Sequence, residues 1–194
     1  MWLDMVKAAR GGEAPIEITW KPFSLQQVNQ KVGPDYLAWN EPDEELHHSV
    51  WGLRAGEAAR RQGEDALRRF MPFILEARHV ERKELNDKEL LKGLAAKAEL
   101  DVARFGKDLD DRSLLDLIAA SHTHAVEELG VFGTPTFVFE NGASAFLKML
   151  KPRTPEEAVR SFDALIPVLE GEVAVGELKR PQPPWPKGIF DKTP

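Results

Sequence analysis

Apolar and polar residues recur along this chain with two different periods. A spacing of three to four residues, typical of an amphipathic helix, covers most of the chain, while a spacing of two, typical of a strand, is confined to short runs near both ends. The pattern predicts a helix at 2–10, a strand at 15–22, a short helix at 24–30, helices from about 46 to 129, strands at 136–139 and 143–150, and a helix at 154–169. The predicted order is therefore α, β, α, a long helical region, β, β and α.

Residues that cap or break helices set the predicted boundaries. Polar N-caps are predicted at Ser24, Asn86, Asp111 and Thr154. Pro72 is predicted to start or kink a helix at 73–80, because proline removes a backbone donor and crowds the preceding turn. The Asn-Gly pair at 141–142 lies between two strand patterns and predicts a tight hairpin.

Composition narrows the partners that this chain can take. Its 194 residues carry a formal net charge of −6. Proteins bind nucleic acids and anionic membrane surfaces through basic patches, so a net negative charge argues against both partners. No apolar run is long enough to span a bilayer, and the first residues lack the basic and apolar regions of an export signal. The sequence has no cysteine, so it has no disulfide scaffold. We predict a cytoplasmic protein that binds neither nucleic acid nor membrane.

The stretch Gly-Val-Phe-Gly-Thr-Pro-Thr-Phe-Val-Phe at 130–139 is the most informative motif in the sequence. Its glycines give the backbone freedom, and the apolar run from Thr136 favours a buried strand. Pro135 stands at the start of that strand, where the ladder does not need its missing N–H. We predict a cis bond between Thr134 and Pro135, which leaves the preceding peptide edge free to pair with a ligand. The alternative is a tight loop that merely joins a helix to a strand.

The 130–139 motif resembles the cis-proline segment of the DsbA-like branch of the thioredoxin superfamily. That branch includes disulfide oxidoreductases, FrnE-type dithiol isomerases, kappa-class glutathione transferases and hydroxychromene-carboxylate isomerases. The run Trp-Lys-Pro-Phe-Ser-Leu at 20–25, with Val-Asn at 28–29, is similar to the end of the second strand of that fold. The resemblance implies a thioredoxin-like α/β fold with an all-helical insertion. It implies a core at 1–31 and 130–178, an insertion at 32–129 and a proline-rich arm at 179–194.

The resemblance also implies a strand that the sequence does not contain. In such folds the first strand is central and pairs with the strands predicted here at 15–22 and 136–139. Its absence would leave unpaired backbone groups on both neighbours, each costing about 1–3 kcal/mol. We therefore expect that Met1 is an internal start and that an upstream segment carries this strand and the active-site turn.

The resemblance implies thiol–disulfide oxidoreductase or isomerase chemistry, but exchange requires a thiolate and this chain has no cysteine. We therefore assign no catalytic residue, no cofactor and no metal, and expect no exchange activity from the chain as it stands. Two alternatives remain open: a thiol-cofactor enzyme of the transferase or isomerase type, and a non-catalytic module that binds peptides in the cis-proline groove. In each case Phe132, Gly133, Thr134 and Pro135 are the predicted binding residues, and the ligand is a peptide or a low-molecular-weight thiol.

Other residue clusters have simpler interpretations. His122 and His124 point to different helical faces, and His47, His48 and His79 lack a third metal ligand, so we predict surface or half-buried histidines. The rings of Tyr36, Trp39 and Trp51 are predicted either to line an apolar cleft or to belong to the core. The arginine pairs at 60–61 and 68–69 have acidic neighbours at helical spacing and are predicted to be solvated.

Overall fold

A computed structural model of the chain describes residues 2–13, 16–171 and 174–177. The predicted proline-rich arm at 179–194 lies outside these residues. The described part divides into two compact units: residues 21–130 form one, and the residues before 21 together with those after 130 form the other. The predicted division into a core and an insertion at 32–129 stays a prediction.

The described residues form eight helices and two strands. In chain order they are α1 (Trp2–Ala9), α2 (Leu25–Asn29), α3 (His48–Arg60), α4 (Glu64–His79), α5 (Lys88–Lys97), α6 (Val102–Asp110), α7 (Ser113–Glu127), β1 (Thr136–Val138), β2 (Ser144–Phe146) and α8 (Pro155–Gly171). None of these helices is long and apolar enough to cross a membrane.

Helices α1 and α8 pack against each other and form the core of the unit that carries both strands. The buried residues of this core are Val6, Ala158, Phe162 and Ile166, and partly buried Ile16 and Phe139 pack against them. The indole N–H of Trp2 donates to the carbonyl of Ala158 at 3.0 Å. Arg10 at the end of α1 pairs with Asp163 on α8. Apolar burial and a few polar contacts thus give the hairpin a rigid support on one face.

The hairpin of β1 and β2 confirms the predicted Asn-Gly turn. Gly142 has φ of 85°, a left-handed conformation that glycine adopts without cost. The N–H of Ala143 donates to Oδ1 of Asn141, and the N–H of Phe139 donates to the carbonyl of Ala143 at 2.8 Å. Both strands are shorter than predicted, and β2 ends at Phe146. The ladder ends there because Pro135, opposite Leu147, has no N–H to donate.

The strand predicted at 15–22 is wrong for the residues that the structure describes, because 16–22 form neither a helix nor a strand. Alternation of apolar and polar residues indicates which side chains would face inward. A β-strand forms only where a second strand pairs with its backbone by hydrogen bonds. Among the described residues the only sheet is the pair β1–β2. Ile16 still packs on the α1–α8 core, which accounts for the apolar half of the alternation.

Five helices, α3 to α7, make up most of the second unit. Their buried apolar faces include Val50, Trp51, Leu67, Phe70, Leu91, Leu94, Phe105, Leu109, Leu114 and Ile118. The predicted cap at Ser24 is confirmed, since its hydroxyl accepts from the N–H of Gln27. The cap of α5 is Asp87 rather than the predicted Asn86.

Two further boundary predictions for this unit need comment. The prediction that a new helix starts at Pro72 is wrong, because α4 continues through that residue, while the alternative of a kink at Pro72 stays a prediction. The buried side chains Phe70 and Ile74 on either side of Pro72 hold both halves of α4 against the same core, which compensates for the lost backbone hydrogen bond. Asp111 flanks α7 as predicted, with Oδ1 accepting from the N–H of Ser113, although the formal cap residue is Arg112.

Candidate functional site

The loop at 131–135 leads into β1, and its residues from 131 to 134 alternate between buried and exposed positions. Val131 and Gly133 are buried, whereas Phe132 and Thr134 are exposed. Phe132 leaves 68% of its surface accessible, which is unusual for a phenylalanine. Pro135, the last residue before the strand, is also exposed. The loop therefore presents three of the four predicted binding residues to solvent.

The hydrogen bonds around this loop fix its shape while leaving Thr134 free. The hydroxyl of Thr136 donates to the carbonyl of Gly133 at 2.8 Å, and the N–H of Leu147 donates to the carbonyl of Pro135 at 3.1 Å. Within the described part of the chain, the N–H and C=O of Thr134 have no hydrogen-bond partner. The peptide bond between Thr134 and Pro135 is cis.

Phe146 on β2 forms the apolar surface next to the loop. Its ring lies 5.2 Å, centroid to centroid, from the ring of Phe132. A Cβ placed on Gly133 would stand 3.2 Å from Cε2 of Phe146, so the ring rests on the glycine backbone. Phe146 leaves 38% of its surface accessible, and Val138 on the same face of the hairpin leaves 48%. Sequence reasoning missed Phe146, and only the register of the hairpin could have identified it.

His122 is buried, with only 6% of its surface accessible, so its prediction as a surface or half-buried residue is wrong. Its Nδ1 accepts from the N–H of Ser24 at 3.2 Å, and its ring lies 4.6 Å from Phe23 and 5.4 Å from Trp39. The neighbouring Ser121 hydroxyl donates to the carbonyl of Pro22 at 2.9 Å. Burial lowers the pKa of His122. These contacts attach the segment before α2 to α7, which is a structural role.

The remaining histidines show no metal-binding geometry. His124 is exposed and pairs with Glu128, on a different helical face from His122 as predicted. His48 contacts Glu84 through Nδ1 and Arg78 through Nε2, and burial lowers its pKa. His47 caps α3 by accepting from the N–H of Ser49, and burial is also the main cause that lowers the pKa of His47 and of His79. No group of three or more potential metal ligands occurs among the described residues.

The aromatic and arginine clusters also have structural partners. Trp51 is a core residue whose ring lies 4.7 Å from the guanidinium of buried Arg54, while Trp39 and Tyr36 are half-buried. Arg60, Arg61 and Arg68 pair with acidic side chains. Of the arginines predicted to be solvated, Arg68 and Arg69 are exposed, whereas Arg60 and Arg61 are half-buried. Arg69 instead donates to the carbonyl of Ala98 at 3.0 Å.

Comparison with known proteins gives the class of this chain. The sequence model of the thioredoxin family matches residues 20–149, which include the helical region, the 131–135 loop and the hairpin. The chain belongs to the thioredoxin family.

One curated relative is similar over a shorter region. The ClpXP adapter protein SpxH of Bacillus subtilis (strain 168) is 30% identical over 107 residues, which are 55% of this chain and 36% of that protein. The chain therefore matches only about a third of the length of this relative.

Proposed function

We propose that this chain is a peptide-binding module of the DsbA-like branch of the thioredoxin family, with Phe132, Gly133, Thr134 and Pro135 as its binding residues. Membership of the branch is supported by the 130–139 motif and by the large helical region that precedes it. The ligand is an extended segment of another polypeptide. Its binding requires no cofactor, metal or membrane.

The observation that carries this proposal is the free backbone of Thr134. Its N–H and C=O have no partner among the described residues, on an exposed loop that is otherwise held by hydrogen bonds. Such groups can pair with the backbone of an incoming peptide, as in β-strand addition. Phe132 and Phe146 beside them offer apolar area to a peptide side chain, and exposed aromatic residues of this kind dominate binding energy at many interfaces.

Binding without thiol exchange follows from the chemistry of the chain. Disulfide exchange needs a thiolate that attacks a disulfide sulfur, and the sequence contains no cysteine. We therefore expect no insulin reduction above background from this chain. A thiol for disulfide exchange would have to come from outside these 194 residues. The name of the relative from Bacillus subtilis, an adapter protein, describes binding rather than thiol chemistry and agrees with this proposal.

Fluorescence anisotropy with a labelled, reduced and carbamidomethylated insulin B chain tests the proposal. This probe is an extended, apolar polypeptide that has no reactive thiol. We expect saturable binding, and we expect Phe132→Ala to weaken it about tenfold, which corresponds to about 1.4 kcal/mol. Leu117→Ala removes another exposed apolar side chain, on α7 rather than in the loop. It is the matched control and should leave affinity unchanged.

Two outcomes would count against the proposal. Equal loss of affinity in both variants would show non-specific apolar adsorption. Binding of glutathione that Phe132→Ala weakens, without specific binding of the insulin B chain, would favour a low-molecular-weight thiol as the ligand.

A further inference from the structure

The amide side chain of Asn141 joins the hairpin turn to the C-terminal end of α8. Its Nδ2 donates to the carbonyl of Glu170 at 2.9 Å, and its Oδ1 accepts from the N–H of Ala143 at 2.9 Å. Glu170 lies one residue before the end of α8, and the last four carbonyls of a helix have no partner within the helix. The residues of this last turn, 168–171, include no lysine, arginine or histidine to offset the negative end of the helix dipole. The Asn141 amide therefore supplies a donor that this end of α8 needs.

The residue after Asn141 makes this amide chemically reactive. An asparagine deamidates when the backbone nitrogen of the next residue attacks its Cγ, and glycine at that position has no Cβ to hinder the approach. The asparagines of the sequence are at 29, 40, 86 and 141, and of these only Asn141 precedes a glycine. Asn141 and Gly142 are both exposed, so water and base can reach the turn.

The hydrogen bonds of the closed turn oppose this reaction. The attacking nitrogen must first lose its proton, and in the structure the N–H of Gly142 donates to the carbonyl of Phe139 at 3.0 Å. Deprotonation would break this bond and leave a negative nitrogen beside a carbonyl oxygen. The two hydrogen bonds of the Asn141 amide also hold its side chain in place. The reaction therefore requires the turn to open locally.

We propose that Asn141 is a site of spontaneous deamidation, that the closed hairpin turn slows this reaction, and that the aspartate it produces detaches the turn from the end of α8. After base removes the N–H proton of Gly142, a bond forms between that nitrogen and Cγ of Asn141. The bond from Cγ to Nδ2 breaks, and Nδ2 leaves as ammonia with the proton that the base removed. Water then adds to a carbonyl of the succinimide ring and opens the ring to aspartate or isoaspartate. The reaction consumes one water and needs no oxidant or reductant.

An aspartate at position 141 keeps one of the two side-chain hydrogen bonds and loses the other. Its carboxylate can still accept from the N–H of Ala143, but it has no N–H to donate to the carbonyl of Glu170. Two acceptors then face each other, and the new negative charge stands at the negative end of the α8 dipole. The exposed carboxylate of Glu140, next to it in the chain, adds repulsion. The hairpin thereby loses an attachment to α8.

Peptide mapping by mass spectrometry tests the site and its protection, on the full chain incubated at mildly alkaline pH with and without guanidinium chloride. We expect aspartate and isoaspartate to form at 141 at least about tenfold faster in the denaturant, where the turn is open. Asn40 is the internal control, because it is also exposed but precedes Glu41, and it should convert far more slowly than Asn141 in the denaturant. Rates at 141 that are equal or higher without denaturant would overturn the proposal. Equal rates at Asn40 and Asn141 in the denaturant would also overturn it.

The variant Asn141→Asp reproduces the modified side chain and tests the consequence. It should lower the melting temperature by about 2–4 °C and speed amide hydrogen exchange in the last turn of α8. Asn40→Asp adds the same charge at another exposed position and should shift the melting temperature by less than about 1 °C, with exchange in α8 unchanged. Equal melting temperatures and equal exchange in the two variants would overturn the proposed detachment.

Discussion

Gly133 and Phe146 are in contact across the hairpin, with the aromatic ring resting on the glycine backbone. A Cβ at position 133 would lie 3.2 Å from Cε2 and 3.6 Å from Cδ2 of the ring, and the shorter of these distances is tighter than ordinary van der Waals contact. The centroid of the same ring lies 5.2 Å from that of Phe132, the exposed aromatic side chain of the loop. Gly133 therefore determines where the aromatic surface of the proposed binding site lies.

Gly133→Ala should displace Phe146 and weaken peptide binding with little loss of stability. The ring must move by a few tenths of an ångström, which it can do because it is partly exposed. We expect affinity for the insulin B chain to fall about threefold to tenfold, with a change in unfolding free energy below about 1 kcal/mol. In a Phe146→Leu background, which lacks the distal ring carbons, the same substitution should have no further effect. Additive losses in the double-mutant cycle would show that the two residues act independently.

The bond from the Ser24 N–H to Nδ1 of His122 should make stability depend on pH. The native structure needs a neutral His122, and burial lowers its pKa below the ordinary 6.5. The unfolded chain therefore binds more protons than the native one at mildly acidic pH. Stability is fully present above about pH 6.5 and decreases as the pH falls toward the lower native pKa. Urea unfolding between about pH 7.5 and 5 measures this slope.

An asparagine at position 122 separates the effect of His122 from that of the other histidines. Its Oδ1 can accept the Ser24 N–H in place of Nδ1 and does not titrate. His122→Asn should reduce the slope of stability against pH, while leaving the part contributed by His47, His48 and His79, whose pKa values are also lowered. His124→Asn on the exposed face of α7 is the control. An unchanged slope in His122→Asn would exclude the Ser24 contact as its source.

Replacing Gly93 by alanine should raise the free energy of unfolding, whereas replacing Gly52 by alanine should lower it. Gly93 on α5 has open space where an alanine Cβ would stand, so Gly93→Ala should stabilise the protein by about 0.5–1 kcal/mol through helix propensity. At Gly52 on α3 the added Cβ would stand 2.8 Å from Cδ1 of buried Leu85. Gly52→Ala should therefore be about 1–3 kcal/mol less stable than Gly93→Ala. Equal stabilities in denaturant titrations would show that Leu85 moves aside without cost.

Replacing Asp43 by asparagine should lower the unfolding free energy of the helical unit more than replacing its partner Arg54 by methionine. Arg54 is fully buried, and its Nη1 donates to Asp43 at 2.9 Å. Asp43→Asn leaves a buried cation without this counter-ion and should cost about 3 kcal/mol. Arg54→Met removes the cation, fills much of its volume and leaves Asp43 paired with Arg112, so it should cost less. The reverse order in thermal or urea unfolding would contradict this account.

Local signals in the sequence are sufficient to predict much of the local structure. Ser24 and Thr154 begin helices because each needs only an N–H three residues ahead, within the same segment. The hairpin at 141–142 is local in the same way. The prediction that a new helix starts at Pro72 fails because packing of Phe70 and Ile74 against distant residues decides whether α4 continues.

The features that depend on distant partners are not predictable in this way. The alternation at 15–22 fixes side-chain faces but says nothing about a pairing strand. The contact of Phe146 with Gly133 depends on hairpin register, and the burial of His122 depends on a segment far earlier in the chain. The 130–139 motif identifies the loop, while the free Thr134 backbone becomes visible only once the surrounding hydrogen bonds are known.

The central claim is that a peptide binds at Thr134. It is tested most directly by labelling the carbamidomethylated insulin B chain with a nitroxide and recording paramagnetic broadening of the protein's backbone amides. We predict that broadening is strongest at Phe132, Gly133 and Thr134 and vanishes when unlabelled peptide is added in excess. Broadening centred on the helices of residues 21–130, with the Thr134 amide unaffected at saturation, would contradict the account.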